Sequence, residues 1–257
     1  MKVNFFEEFP SEENLAKLKL IDFPSLIYVA AKSMEEFNLI REKISKINSK
    51  VEVGYWPILE KSYWISPFSY TFELKELYED LLKNKNDKPF KILIDLELPF
   101  LSPKLFFWNL FSFFKNKKLI KKMFTDSKKL NIQILTAEYP IPSKIVQKKF
   151  EWMGVSYPIE KYPHKKIVMF YSSMIKNNFL LKKIKQYITK RSLELDKNLQ
   201  IGLGTIAIGI LGNEPILKPE NLDKDLSFCK ENKIDSVVIF RLGGLDSLYL
   251  KKIKKYL

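Results

Sequence analysis

Cysteine and histidine are nearly absent: the 257 residues contain one of each, Cys229 and His164. One cysteine cannot close an internal disulfide, and one histidine cannot supply a His-rich metal site. That excludes a disulfide-stapled scaffold and makes a reducing, cytoplasmic compartment the expectation. Arginine is scarce as well, found only at Arg41, Arg191 and Arg241, although Lys and Arg together number 44 against 30 acidic residues, a formal net charge of +14. Nucleic-acid readers rely on arginine for bidentate contacts to bases and phosphates, so this lysine-borne charge predicts no specific nucleic-acid site. It leaves open either a solvated lysine surface or an anionic partner such as a lipid surface.

Long apolar runs are missing too. The longest, Leu105 to Phe114, is interrupted by Asn109 and Ser112 and falls short of the roughly 20 residues that a membrane span needs. Met1 to Glu8 places acidic residues where a secretory leader needs an apolar core, so no leader is expected. There is no low-complexity linker, internal repeat or shift in composition that would mark a second domain.

What is present is enough apolar material for a full core, with 46% hydrophobic, 14% aromatic and 29% charged residues. Short β-branched and aromatic runs alternate with Lys/Glu-bearing stretches of helical period. Strands are predicted near Val3 to Phe9, Leu26 to Ala31, Val51 to Ile58, Lys91 to Leu98, Ile132 to Glu138, Ile167 to Ser172, Gln200 to Gly209 and Val237 to Leu242. Helices are predicted over Asn14 to Leu20, Met34 to Asn48, Phe72 to Lys83, Ser102 to Leu130, Ser143 to Met153, Asn178 to Leu195, Pro219 to Asn232 and Asp246 to Leu257. A strand followed by a helix, eight times over, predicts an α/β fold, a single-domain (β/α)8 TIM barrel over residues 1–257 with a long insertion after the fourth strand. The runner-up is a doubly wound sheet, weakened because no G-x-G-x-x-G follows the first strand.

In such a barrel the reacting groups sit where the strands end, because the loops there form the open mouth. The fourth strand carries the sharpest signal, since period-two geometry puts Asp95 and Glu97 on one face. Two carboxylates side by side in an apolar strand raise each other's proton affinity, which suits one of them to donate a proton near neutral pH. The alternative is that each simply pairs with Lys91, Arg241 or a loop. Glu138 ends the fifth strand and is either a second catalytic carboxylate or an outward-facing cap. Of Glu7 and Glu8, successive residues, at most one faces the mouth, and Glu7 is taken as the candidate. Tyr55 and Trp56, with Tyr63 and Trp64 beyond them, offer flat faces on which sugar rings stack, or else pack a loop onto the barrel. Tyr139, Tyr171 and Arg241 complete the expected substrate-binding set, Arg241 needing an anion from Asp95, Glu97 or a substrate. These residues call for no cofactor and no bound metal; an Mg²⁺-dependent lyase or isomerase built on Asp95, Glu97 and Glu138 is kept as an alternative.

Three segments, Asp95-Leu96-Glu97, Leu135-Thr136-Ala137-Glu138-Tyr139-Pro140 and Met169-Phe170-Tyr171, resemble the corresponding strands of chitinase-like glycoside hydrolases of family 18. The resemblance implies a (β/α)8 fold, with Glu97 in the place of the general acid, Asp95 as its carboxylate neighbour and Tyr171 in the place of the tyrosine that orients the substrate acetamide. The chain departs from the family's pattern at Lys91 and Leu93, where further acidic residues stand, at Ser172, where an aspartate follows the tyrosine, and at Arg241, where a tryptophan is expected. A glycan or another small molecule is thus the expected partner of an enzyme or of a non-catalytic binding barrel. A further expected partner is an anionic membrane surface, met through residues 105–122, where Leu105 to Phe114 precedes Lys115, Lys117, Lys118, Lys121 and Lys122. The protein would then be peripheral at a membrane; the alternative is an oversized helix buried against the barrel.

Overall fold

The structure, a computed structural model, describes residues 1–84, 89–99 and 103–257, with Asp196 by its backbone only. Eight parallel strands close into a barrel in sequence order: β1 (Lys2–Glu7), β2 (Ser25–Ala31), β3 (Val51–Pro57), β4 (Phe90–Asp95), β5 (Ile132–Glu138), β6 (Lys165–Phe170), β7 (Leu199–Gly204) and β8 (Ser236–Phe240). The seam runs from Lys2 opposite Ser236 to Phe6 opposite Phe240. At its base Asn4 donates to Ser236 Oγ at 2.9 Å and accepts from the Leu26 amide at 3.0 Å, so one buried side chain ties three strands together.

Each strand is buried on both faces, and alternate residues therefore fill two apolar layers. Val3, Phe5, Ile27, Val29, Ile92, Ile94 and Ile134 point outward beneath the helices. Phe6, Tyr28, Trp56, Leu93, Leu135, Ile167 and Val238 point inward and fill the barrel.

The crossover helices follow their predicted periods. In α2 (Met34–Ile47), Met34, Phe37, Ile40 and Ile44 recur at helical spacing on the buried side, and Ser33 caps the start by accepting from the Glu36 amide at 3.1 Å. The last α-helix, α10 (Ser247–Ile253), is capped by Asp246, which accepts from the amides of Leu248 and Tyr249. Before α2 lies α1 (Glu12–Ala16), and between α2 and α10 lie α3 (Thr71–Lys83), α8 (Asn178–Leu195) and α9 (Pro219–Glu231).

The single helix expected over Ser102 to Leu130 is instead three, α4 (Lys104–Trp108), α5 (Phe113–Thr125) and α6 (Ser127–Leu130); Leu101 and Ser102 lie outside the described residues. Two asparagines, one at the end of α4 and one inside α5, hold the first two helices in place. Asn109 donates to the Phe68 carbonyl at 2.8 Å, and Asn116 donates to those of Pro67 and Ser69 at 3.0 and 2.7 Å. They pin the insertion onto the loop after β3, and the chain turns between them. α7 (Lys144–Met153), which packs Trp152 against Phe113 with ring centroids 5.5 Å apart, has no buried residue.

Candidate active site

At the C-terminal end of β4 the inward phase continues past the strand. The Leu96 amide still donates to the Ala137 carbonyl at 3.2 Å, which holds the alternation so that Leu93, Asp95 and Glu97 all line one cavity while Leu96 joins the outer layer. The cavity has a volume of about 420 Å³; Phe6, Leu93, Ala137, Met169 and Phe240 form its apolar floor, and Trp56, Trp64, Tyr139 and Tyr171 contribute to its walls. Four carboxylates face it, Glu8, Asp95, Glu97 and Glu214, and among the described residues no Lys, Arg or His lines it. The loop after β7 comes close to this cluster at Gly209. A Cβ there would lie 2.8 Å from both Glu214 Oε1 and Glu8 Oε2.

Burial sets the electrostatics. Asp95 is pushed well above the usual carboxylate range by desolvation, then by the charges of Glu97 and Glu8; the Trp56 indole N–H opposes the rise. Its Oδ1 has no hydrogen-bond partner among the described residues. Glu97 keeps some contact with solvent at the mouth, yet it sits among enough protein atoms that desolvation lifts it to about 7, against the opposing hydrogen bond from Tyr139 and with a further push from Glu8. That bond, Tyr139 hydroxyl to Glu97 Oε2, is 2.5 Å long. Glu8 is likewise lifted to about 7, chiefly by burial, although the Tyr63 hydroxyl and the Ile210 amide donate to it. Glu8, Asp95 and Glu97 in one apolar cavity cannot all ionise near neutral pH, so the cluster retains protons that a single exposed carboxylate would lose.

Tyr139→Phe removes the donor that stabilises ionised Glu97. The expected result is a higher pKa for Glu97, read by carboxyl titration in carbon-13 NMR; an unmoved titration would mean that Tyr139 does not stabilise the ionised form.

Five of the nine residues picked from sequence meet at the cavity: Asp95, Glu97, Trp56, Tyr139 and Tyr171. The other four do not, each for a physical reason. Glu138 turns outward from β5 into a buried network, 2.8 Å from Lys166 Nζ, 2.6 Å from Ser156 Oγ and 2.8 Å from Thr136 Oγ1. Despite complete burial, these partners, Lys166 foremost, hold it down at about 2. It is a structural anion, and the Mg²⁺ site that needed it beside Asp95 and Glu97 is not assembled. Tyr55 faces outward from β3 against Phe37, centroids 5.0 Å apart. Glu7 is fully buried on the outer face of β1, where it accepts from Arg241 at 3.0 Å, the Gly243 amide at 2.7 Å and the Phe9 amide at 2.8 Å. Arg241 therefore finds its anion in Glu7, not in Asp95, Glu97 or the cavity, and its guanidinium also donates to the Ile208 carbonyl and lies over the Phe9 ring. Glu8, Glu214 and Trp64 line the cavity without having been picked. For Glu8 the only signal was parity along β1, since Asn4 and Phe6 share its inward face.

No protein-family model and no curated protein matches the sequence. Solved structures do match the fold. A GH18 chitinase from Pseudoalteromonas aurantia superposes with a TM-score of 0.62 at 11% identity, covering 100% of this chain and 100% of that one. A family GH18 chitinase from Cycas revoluta, in complex with allosamidin, gives 0.59 at 10% identity, covering 100% and 99%. A D-allulose 3-epimerase from Methylomonas sp. gives 0.55 at 10% identity, covering 100% and 98%. The chain thus has a chitinase-like (β/α)8 barrel fold, one that sugar-handling proteins with different chemistries share.

Proposed function

We propose that the cavity binds a glycan and cleaves a glycosidic bond, with Glu97 as proton donor, Asp95 as the neighbouring carboxylate that keeps the proton available, and Tyr171 on the cavity wall as an orienting group. One observation carries this reading: a carboxyl at the mouth of an apolar cavity, hydrogen-bonded by Tyr139 and with a proton affinity lifted to about 7. Such a group is part-protonated at neutral pH and can protonate a leaving oxygen. Trp56 and Trp64 supply apolar faces for a sugar ring, and the carboxylates supply acceptors for its hydroxyl rim. Because Glu138 is turned away, the second catalytic function falls to Asp95 or to the substrate's own acetamide, the substrate-assisted route. The fold-sharing chitinases support a glycan as the substrate class.

Leu93 on the cavity floor, where family 18 carries an acid, favours a second reading, a glycan-binding barrel without turnover. N-Acetylglucosamine oligomers separate the two. Hydrolysis whose rate falls as the pH rises above about 7 supports the enzyme. Saturable tryptophan quenching without hydrolysis supports the binder. Neither binding nor hydrolysis with these oligomers or with peptidoglycan fragments overturns both.

A further inference from the structure

Apolar side chains crowd the mouth end of the barrel on its outside. α4 and the turn into α5 expose Phe107 at 81%, Trp108 at 74%, Leu110 at 60%, Phe111 at 97% and Phe114 at 72%. This segment is anchored: Leu105 and Phe113 between them are buried at 3% and 4%, and Asn109 and Asn116 tie it to the loop after β3. Four exposed aromatics within eight residues exceed what scattered surface hydrophobics account for, and such a patch marks an interaction site.

Charge identifies the partner. Directly C-terminal to the patch, α5 exposes Lys115, Lys118 and Lys122. Beside it, Lys117, Lys121, Lys148 and Lys161, with one carboxylate, Glu151, line a hollow of about 370 Å³ whose lining also includes Trp152 and Tyr162. A second copy of this chain would bring the same lysines face to face on a protein already carrying +14, which opposes self-association. Aromatics flanked by lysines instead match a bilayer, whose acyl boundary accepts the rings and whose anionic headgroups pair with the ammonium groups. No helix among the described residues is long and apolar enough to cross a membrane, so the contact is peripheral.

We propose that α4, residues 109–112 and the start of α5 form a docking surface for an anionic lipid bilayer, one that turns the cavity mouth toward the membrane. This surface stands apart from the cavity and holds whether or not the cavity hydrolyses glycans.

The test is flotation of the full chain with vesicles of phosphatidylcholine alone or mixed with phosphatidylglycerol. The protein is expected to float with the mixed vesicles at low salt and to be released as salt is added, because lysine attraction is screened within about 10 Å at 0.1 M. Phe107→Ser/Phe111→Ser is expected to weaken partitioning by ~10²-fold, since two rings no longer leave water, with an unchanged melting temperature because neither ring is buried. Lys115→Glu/Lys118→Glu/Lys122→Glu is expected to abolish the preference for phosphatidylglycerol. Absence of flotation at low salt overturns the proposal, as does undiminished binding by the Phe107→Ser/Phe111→Ser variant. A lipid-free dimer that this variant dissolves would assign the patch to a second copy and also overturn it.

Discussion

Glu97→Gln is expected to lower kcat on a glycan by about 10² to 10⁴, the contribution of a positioned proton donor, while leaving ground-state binding and the melting temperature close to wild type. The stability half of this expectation follows from what Glu97 touches. It pairs with Tyr139, whose hydroxyl can donate equally well to a glutamine oxygen, and Arg241 has its own anion in Glu7. Removing Glu97 thus strands no buried cation. The pH dependence has a definite sign. A carboxyl whose folded pKa is raised from 4.5 to about 7 contributes stability that is complete below 4.5 and is lost as pH rises through 7. Above pH 7 the glutamine variant should therefore be at least as stable as wild type. Activity assays, isothermal binding and melts from pH 5 to 9 read all three quantities on one protein. A variant that melts far below wild type, or one that still turns over at the wild-type rate, removes Glu97 from the catalytic role.

Glu138→Ala should do the opposite, unfolding the protein rather than silencing it. The substitution leaves Lys166, 4% exposed, without the carboxylate 2.8 Å away, and an uncompensated buried charge typically costs about 3 to 5 kcal/mol. Linkage gives a similar size. Glu138 is held at about 2 against an ordinary 4.5, so its contribution is fully present above pH 4.5 and is lost as pH falls toward 2; at 1.36 kcal/mol per unit this amounts to about 3 kcal/mol. Urea denaturation should show a wide gap between wild type and variant at pH 7 that narrows on acidification. A gap that stays constant with pH would mean that the charge of Glu138 is not what stabilises this end of β5 and β6.

How much of this was legible in the sequence turns on strand parity. Eight strand–helix units and the caps at Ser33 and Asp246 were readable because helical period and capping chemistry are local. The pair Asp95 and Glu97 was readable because two acids at spacing two stand out in an apolar run. Which face of each strand looks inward was not, since strands of a parallel barrel are apolar on both sides and carry no alternation to phase them. Hence Trp56 faces the cavity and Tyr55 the helices, and Glu8 rather than Glu7 lines the site. Glu138 was ambiguous for a different reason. The partners that make it structural, Ser156 and Lys166, lie 18 and 28 residues away in the chain, and no local pattern announces them. The same holds for Asn109 and Asn116, polar residues within a stretch of helical period, whose hold on the loop after β3 becomes visible only once the chain is folded.

The seam between β1 and β8 bears on how the chain reaches its folded state during synthesis. Lys2 hydrogen-bonds the Asp235 carbonyl through its amide at 2.7 Å, Glu7 accepts from Gly243, and the Met1 amino group donates to the Tyr256 carbonyl at 2.9 Å. The first strand of the barrel to be synthesised therefore waits for the barrel's eighth before that edge is paired. At about 5 to 20 residues per second, that interval is on the order of 10 to 50 s. Throughout it, β1 presents an open edge of the kind that recruits other chains. Nascent chains halted before residue 236 should accordingly remain protease-sensitive along β1, and rapid translation or chaperone occupancy of that edge should govern how much protein escapes aggregation.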